Sequence, residues 1–353
     1  MGKFLYSLAI AVSGLQAVSA ACTNPSQRKK RTYINSTLCL MNPDMAPAKT
    51  GLFGSKSRWD EIQVTHVAQV QFIHTVGAFF PWHRWYMTVY ENLLRNECGY
   101  TGPLPYWDEQ KDQATLPLIE VDILSPSAMT GFGNTTDENG CVVDGPFTGL
   151  RPTLQPNLTR TAEEGTCLQR DYKQAQFDLV SQDIVNSCFQ LNQYSDLLNC
   201  LGGTPHTSGH YAIGGTMDSV SLSPADPLFF LHHTNLDRLW WEWQSQNSSR
   251  LTDMGGKNVA TATSLVDLQP SDIYNVDSFL PYFGDNGNVT TLNHVLWMTG
   301  LADNVTIAEV MDINSDLICA ELGLEKSKWE SAMRCILKKE MSLIAEAGGS
   351  LDP

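Results

Sequence analysis

Basic residues are scarce in this 353-residue chain: 23 Lys and Arg stand against 38 Asp and Glu, a formal net charge of −15. That deficit argues against nucleic acid and anionic membranes as partners. Charge of either sign is thin as well, at 17% of residues against 42% hydrophobic. Such a chain can build a sizeable core and is not globally disordered. No later segment approaches the about 20 apolar residues needed to span a bilayer. The apolar run at the start, Phe4 to Val12, is interrupted at Ser7, and Ser13 and Gln16 follow it. Lys3 precedes it and Val18-Ser19-Ala20 follows, the pattern of a secretion signal over residues 1–20. No linker divides what remains, so residues 21–353 read as a single domain. There is no internal repeat beyond two loosely related histidine groups. A His-Glu-x-x-His pattern, which would mark a zinc hydrolase, is also missing.

Secretion fits two other features. Asn35, Asn134, Asn157, Asn247, Asn288 and Asn304 each begin a glycosylation sequon, which implies surface loops. After the signal come Cys22, Cys39, Cys98, Cys141, Cys167, Cys188, Cys200, Cys319 and Cys335. In an oxidising compartment most should pair. Nine is odd, so one stays free or pairs outside the chain. The basic run Arg28-Lys29-Lys30-Arg31 has two readings. It is a processing site whose cleavage would remove Cys22, or a solvated basic turn. Cys141 and Cys167 lie in a Gly-, Pro-, Thr- and Asn-rich stretch over 125–170 as a plausible staple.

The chain has eight histidines, and six cluster. His66 and His74 lie about 80° apart if one helix carries both, at about 100° per residue. His83 follows Gly77 and Pro81, which break that helix. Pro81 then sits in the first turn of the next helix, where its missing N–H costs nothing. We therefore expect helices over 60–73 and 81–96, with the rings converging through tertiary folding. Further on, His206 and His210 are four apart, a good two-ligand spacing. Asp226 is expected to cap, and Pro227 to start, a helix carrying His232 and His233. Two groups of three imidazoles suggest two metal ions. A short helix is expected near 32–40, helical spacing over 171–202, and helical patterns again over 307–346. The fold expected is mainly α, a helix-bundle core with inward-facing ligands, long loops and little β.

His74, then Phe79-Phe80-Pro81-Trp82-His83-Arg84 and Glu91, resembles the first copper signature of tyrosinases, catechol oxidases and molluscan-type hemocyanins. Asp226-Pro227, Phe229-Phe230, His233 and Asp237 resemble the second. The short step from His66 to His74 is similar to that of small secreted fungal polyphenol oxidases. The resemblance covers roughly residues 58 to 245. It implies a dicopper site, with His66, His74 and His83 on one ion and His206, His210 and His233 on the other. His233 is the signature ligand, so His232 is left unassigned. On ligand chemistry alone zinc remains an alternative.

The resemblance also implies the chemistry: O2 oxidises o-diphenols (catechols) to o-quinones, and some members hydroxylate monophenols first. Four residues beside the ligands carry expectations. Asp237 can cap a turn, pair with Arg84 or Arg238, or fix an imidazole tautomer. Thr207 and Leu197 stand where monophenol-active relatives hold a water with Asn and Glu, which lowers the expectation of monophenol hydroxylation. Val220 stands at the gate position and is small enough to admit an aromatic ring. Phe72 replaces a Cys that some relatives crosslink to a histidine. Glu109, in Pro-Tyr-Trp-Asp-Glu, stands where an aromatic is commoner. A separate C-terminal lid domain is not expected. The leading expectation is a secreted o-diphenol oxidase with two coppers. Alternatives are a full tyrosinase, an oxidase of o-aminophenols or of one tailored metabolite, and a hemocyanin-like oxygen binder.

Overall fold

A computed structural model describes residues 25–52, 54–152, 167–258, 284–285 and 288–318. The proposed signal, Cys22, Cys319, Cys335 and most of 307–346 lie outside them. Ten α-helices are described: α1 (Pro25–Met41), α2 (Arg58–Ile73), α3 (Phe79–Cys98), α4 (Glu109–Gln113), α5 (Gln174–Phe177), α6 (Gln182–Phe189), α7 (Tyr194–Leu201), α8 (Thr204–Ile213), α9 (Leu228–Ser245) and α10 (Ile307–Val310). Among the described residues, strands are confined to one antiparallel pair, β1 (Val295–Leu296) and β2 (Val305–Thr306). The expected mainly-α fold with long loops is what the chain adopts. No described helix is long and apolar enough to cross a membrane.

Helix α3 is the central post, packed by α1, α2, α9 and α10. It is apolar over most of its surface, so 15 of its 20 residues are buried. Its aromatics interlock with those of α9: the Tyr90 ring stacks on Phe230 at 3.8 Å and Phe80 on Trp240 at 5.6 Å. Fully buried Arg84 holds the same seam. It donates to the Asp237 carboxylate at 2.6 Å and to the Val310 and Met311 carbonyls at 3.1 and 2.8 Å. Its guanidinium lies 3.8 Å over the Trp240 ring. Asp237 therefore takes one of its three expected roles, the ion pair with Arg84. Arg238 turns instead to Asn235 and Glu242.

Several boundaries differ from expectation, each for a local reason. Helix α1 begins at Pro25 rather than near residue 32, because proline suits a first helical position. The run Arg28 to Arg31 is thus helical, not a turn, and Lys30 pairs with Asp122. The stretch 171–202 forms three short helices. The Cys188–Cys200 disulfide ties α6 to α7, Cys141–Cys167 staples the loop region as anticipated, and Cys39–Cys98 joins α1 to the end of α3. Helix α9 starts one residue after Pro227, with Asp226 accepting the Leu228 N–H at 2.9 Å.

The break between α2 and α3 falls where Gly77 predicted it. A side chain there would meet the Gly255 carbonyl oxygen at 2.2 Å and the Thr290 Cβ at 2.5 Å. The Gly77 N–H donates to Lys257 O at 2.8 Å, and its carbonyl accepts from Tyr194 at 2.6 Å. The loop carrying His74 toward His83 is therefore pinned from both sides. Gly77→Ala should cost about 1–3 kcal/mol through overpacking. A denaturation midpoint equal to that of the parent protein would show that this approach is not tight.

Candidate metal centre

Helices α2 and α3 bring His66, His74 and His83 together, with ring centroids 4.9, 5.8 and 5.3 Å apart. Helices α8 and α9 bring together His206, His210, His232 and His233. Both groups are buried, and each could hold a metal ion. They face each other across the bundle axis: the His83 ring stacks on His233 at 4.4 Å, and Phe79 touches His206 at 4.7 Å. All six expected ligands are thus in one place. His294 is elsewhere, bonded through Nδ1 to Asp285 at 2.7 Å.

The rings are aimed by their Nδ1 atoms. His74 donates to Val70 O at 2.9 Å, one of the carbonyls that the end of α2 leaves without a helical partner. His83 donates to Phe79 O at 2.7 Å and His206 to Gly202 O at 3.0 Å. His66 and His210 reach out to one loop, to Ser221 O at 3.1 Å and Met217 O at 2.8 Å. One segment thereby orients a ring of each group. With Nδ1 carrying the proton, Nε2 is left as a lone pair. The Nε2 atoms of His66, His83 and His206 are buried with no hydrogen-bond partner. An unpartnered buried polar atom costs about 1–3 kcal/mol, so orphaned nitrogens in both groups point to a positive centre in each. His233 differs: its Nε2 lies 3.2 Å from His210 Nε2 and its Nδ1 has no partner.

Burial dominates the electrostatics. It pushes the imidazolium form of His66, His83, His206, His210 and His233 well below the ordinary range, and neighbouring imidazoles push the same way. For His74 burial lowers the pKa to about 4, against the opposing pull of the Val70 carbonyl. Neutral imidazole is the ligand form, so these sites are ready to bind at neutral pH. An all-imidazole, carboxylate-poor donor set fits copper or zinc rather than calcium or magnesium.

Beside the second group a cavity of about 260 Å³ opens to solvent, lined by His74, Phe79, His206, His210, Thr207 and Val220 among others. Val220 is 40% exposed at this opening, where a gate residue was expected. Thr207 also lines it, but Leu197 is wholly buried and does not. Its neighbours Leu198 and Asn199 face the cavity instead. Thr75, next to His74, takes a left-handed φ of 55° at the cavity wall. Such strain persists only where the surroundings enforce it. Sequence reasoning drew nothing from Glu109, yet this carboxylate is 1% exposed and bonds His232 Nδ1 at 2.5 Å. The signal available was its departure from the aromatic common at that place.

Comparison with known proteins agrees with this geometry. The chain is 27% identical over 332 residues to tyrosinase ustQ of Aspergillus flavus, spanning 87% of this chain and 82% of that protein. It is 26% identical over 332 residues to N-acetyl-6-hydroxytryptophan oxidase ivoB of Emericella nidulans, spanning 81% and 87%. A point mutant of a polyphenol oxidase of Thermothelomyces thermophila superposes with a TM-score of 0.66 at 25% identity, over 81% of this chain and 83% of that one. The description "Common central domain of tyrosinase" matches residues 56–246, a span that includes both histidine groups and more than half of the chain. This chain therefore belongs to the tyrosinase family, oxidoreductases that use copper, phenolic substrates and O2.

Proposed function

We propose that the protein is a secreted oxidase that uses O2 to convert o-diphenols to o-quinones and hydroxylates monophenols weakly or not at all. His66, His74 and His83 would hold one copper, and His206, His210 and His233 a second. Two buried imidazole groups facing each other beside an open cavity carry this reading. Copper bound there supplies the redox chemistry that links phenol oxidation to O2. The chain itself does the rest. Backbone carbonyls fix the tautomers, burial keeps the rings neutral and shields the ions, and Phe79 with His206 walls a slot for an aromatic ring. Val220 leaves that slot open. The −15 charge supports a soluble protein without nucleic-acid partners, and three disulfides support an oxidising compartment. We place the secretion signal at residues 1–20 and a single copper domain at 21–353.

Metal analysis after copper supplementation should give about two coppers per chain, one for each histidine group. Zinc, or a single copper, would contradict the assignment.

Monophenol hydroxylation requires a phenol of pKa about 10 to lose its proton near the metal. Thr207 and Asn199 line the cavity, but the position of Leu197 supplies no carboxylate to polarise a water. Asp218, the one carboxylate among the described lining residues, is engaged 3.7 Å from the Lys173 ammonium. Catechol and dopamine should therefore react much faster than tyramine, and Thr207→Asn should raise the monophenol-to-diphenol ratio. Equal rates on tyramine and dopamine in the parent protein would refute this. A second reading, one tailored phenol or o-aminophenol as substrate, gains support from the relative that is an N-acetyl-6-hydroxytryptophan oxidase. Including an o-aminophenol in the same assay separates the two.

A further inference from the structure

Among the described residues, two other than glycine take a left-handed backbone, Thr75 at φ 55° and Thr299 at φ 54°. A β-branched side chain crowds the backbone in that region, whereas glycine enters it freely. A threonine kept there calls for a use of its side chain. Thr299 has one inside the protein. It is 6% exposed, and its hydroxyl meets that of Thr65 at 2.6 Å. Thr75 has none of that kind. It is exposed, and among the described residues its hydroxyl has no hydrogen-bond partner.

The backbone around Thr75 is held without its help. His74 is tethered through Nδ1 to Val70 O, and Val76 is fully buried. Gly77 is bonded to Lys257 O and to the Tyr194 hydroxyl. These anchors impose the turn, and glycine at position 75 would satisfy it at lower cost. Neither the turn nor the packing accounts for the threonine side chain. The cavity does, because Thr75 forms part of its wall. Phe79, Leu198, Met217 and Val220 give that wall large apolar stretches. A site of this kind orients its ligand through a few well-placed polar groups.

We propose that Thr75 is a specificity residue, whose hydroxyl bonds a polar substituent on the ring of the phenolic substrate. The histidine rings that line the cavity are buried, and Thr75 is exposed. The reacting hydroxyls belong at the rings, and the substituent trails toward the opening, where Thr75 stands. The substrates favoured are then o-diphenols carrying a hydrogen-bonding group, such as hydroxymethyl or amide, over those carrying an alkyl group. The inference deepens the o-diphenol reading given above and rests on it.

The test compares 3,4-dihydroxybenzyl alcohol with 4-methylcatechol, whose substituents differ by one hydroxyl, on the copper-loaded full-length protein. Thr75→Val keeps the shape and backbone cost of threonine and removes only the hydroxyl. It should lower the alcohol-to-methyl ratio of kcat/KM about 2- to 10-fold, the worth of one neutral hydrogen bond. The change should be carried by KM, as for a contact made equally in ground and transition states. Thr75→Gly should show the same loss, which keeps the test open if the valine variant does not fold. Thr75→Asn tolerates the left-handed backbone and keeps a hydrogen-bonding group, so it should retain more of the ratio than Thr75→Val. A second readout needs no turnover. Thr75→Gly relieves the strain, so in the metal-free protein its denaturation midpoint should exceed that of the parent. A ratio unchanged in Thr75→Val overturns the inference and leaves the oxidase reading intact. A midpoint lowered in Thr75→Gly also overturns it, because the side chain would then be holding the fold. A parent protein that oxidises neither catechol removes both readings.

Discussion

His83→Ala should abolish oxidase activity and remove one copper while the other is retained. His83 is the ring where the two groups meet, stacked on His233 at 4.4 Å and tethered to Phe79 O at 2.7 Å. Its loss leaves the first group two imidazoles, too few to hold a three-ligand ion. The fall in activity should exceed the about 10–100-fold that follows from altering a ligand's supporting partners. His294→Ala is the matched control, a buried histidine outside both groups. It should lower stability by removing the imidazole that bonds Asp285 Oδ2, while Oδ1 keeps Thr291, and should keep both coppers. Activity and copper content persisting in His83→Ala, or copper loss in His294→Ala, would refute the placement of the first site.

Asp226→Ala should destabilise the fold by about 3–5 kcal/mol, the usual result of stranding a buried charge. Arg170 and Asp226 are both fully buried and joined by two bonds, 2.7 and 2.9 Å. Arg170 also donates to Phe132 O at 2.8 Å and Gly133 O at 3.2 Å. Burial opposes the Arg170 charge, and the Asp226 carboxylate more than offsets it, raising the guanidinium's pKa. Because Asp226 also accepts from the first N–H of α9, its loss should loosen the helix that bears His233. Chemical denaturation measures the effect, and the double change Arg170→Met with Asp226→Leu should recover much of it. A single variant with an unchanged midpoint would mean that solvent reaches Arg170.

The helical core and six converging histidines were readable because they depend on short-range patterns. Gly77 and Pro81 punctuate, His206 and His210 keep helical spacing, and apolar residues cover α3. The supports of the site were not readable, since they join residues far apart in the chain. Arg170 meets Asp226 across 56 positions and His232 meets Glu109 across 123. No local periodicity marks either partner. Asp237 shows the intermediate case. Its candidate partners could be named from the sequence, but only the packing of α3 on α9 selects Arg84 over Arg238. The resemblance points to Leu197 as the partner position of Thr207, whereas the turn of α7 presents Leu198 and Asn199 to the cavity. Position within a short helix is settled by packing, here by the Cys188–Cys200 bond and the Tyr194 hydroxyl on Gly77.

The Cys141–Cys167 bond spans the boundary between the two histidine groups, and this bears on proteolysis. A single cut between those cysteines would divide the chain into an amino-terminal fragment with His66, His74 and His83 and a carboxy-terminal fragment with His206, His210, His232 and His233. Among the described residues, that disulfide is the one covalent bond left between them. The nicked protein would run as one species without reductant and as two with it, and the noncovalent α3–α9 seam would keep the metal groups opposed.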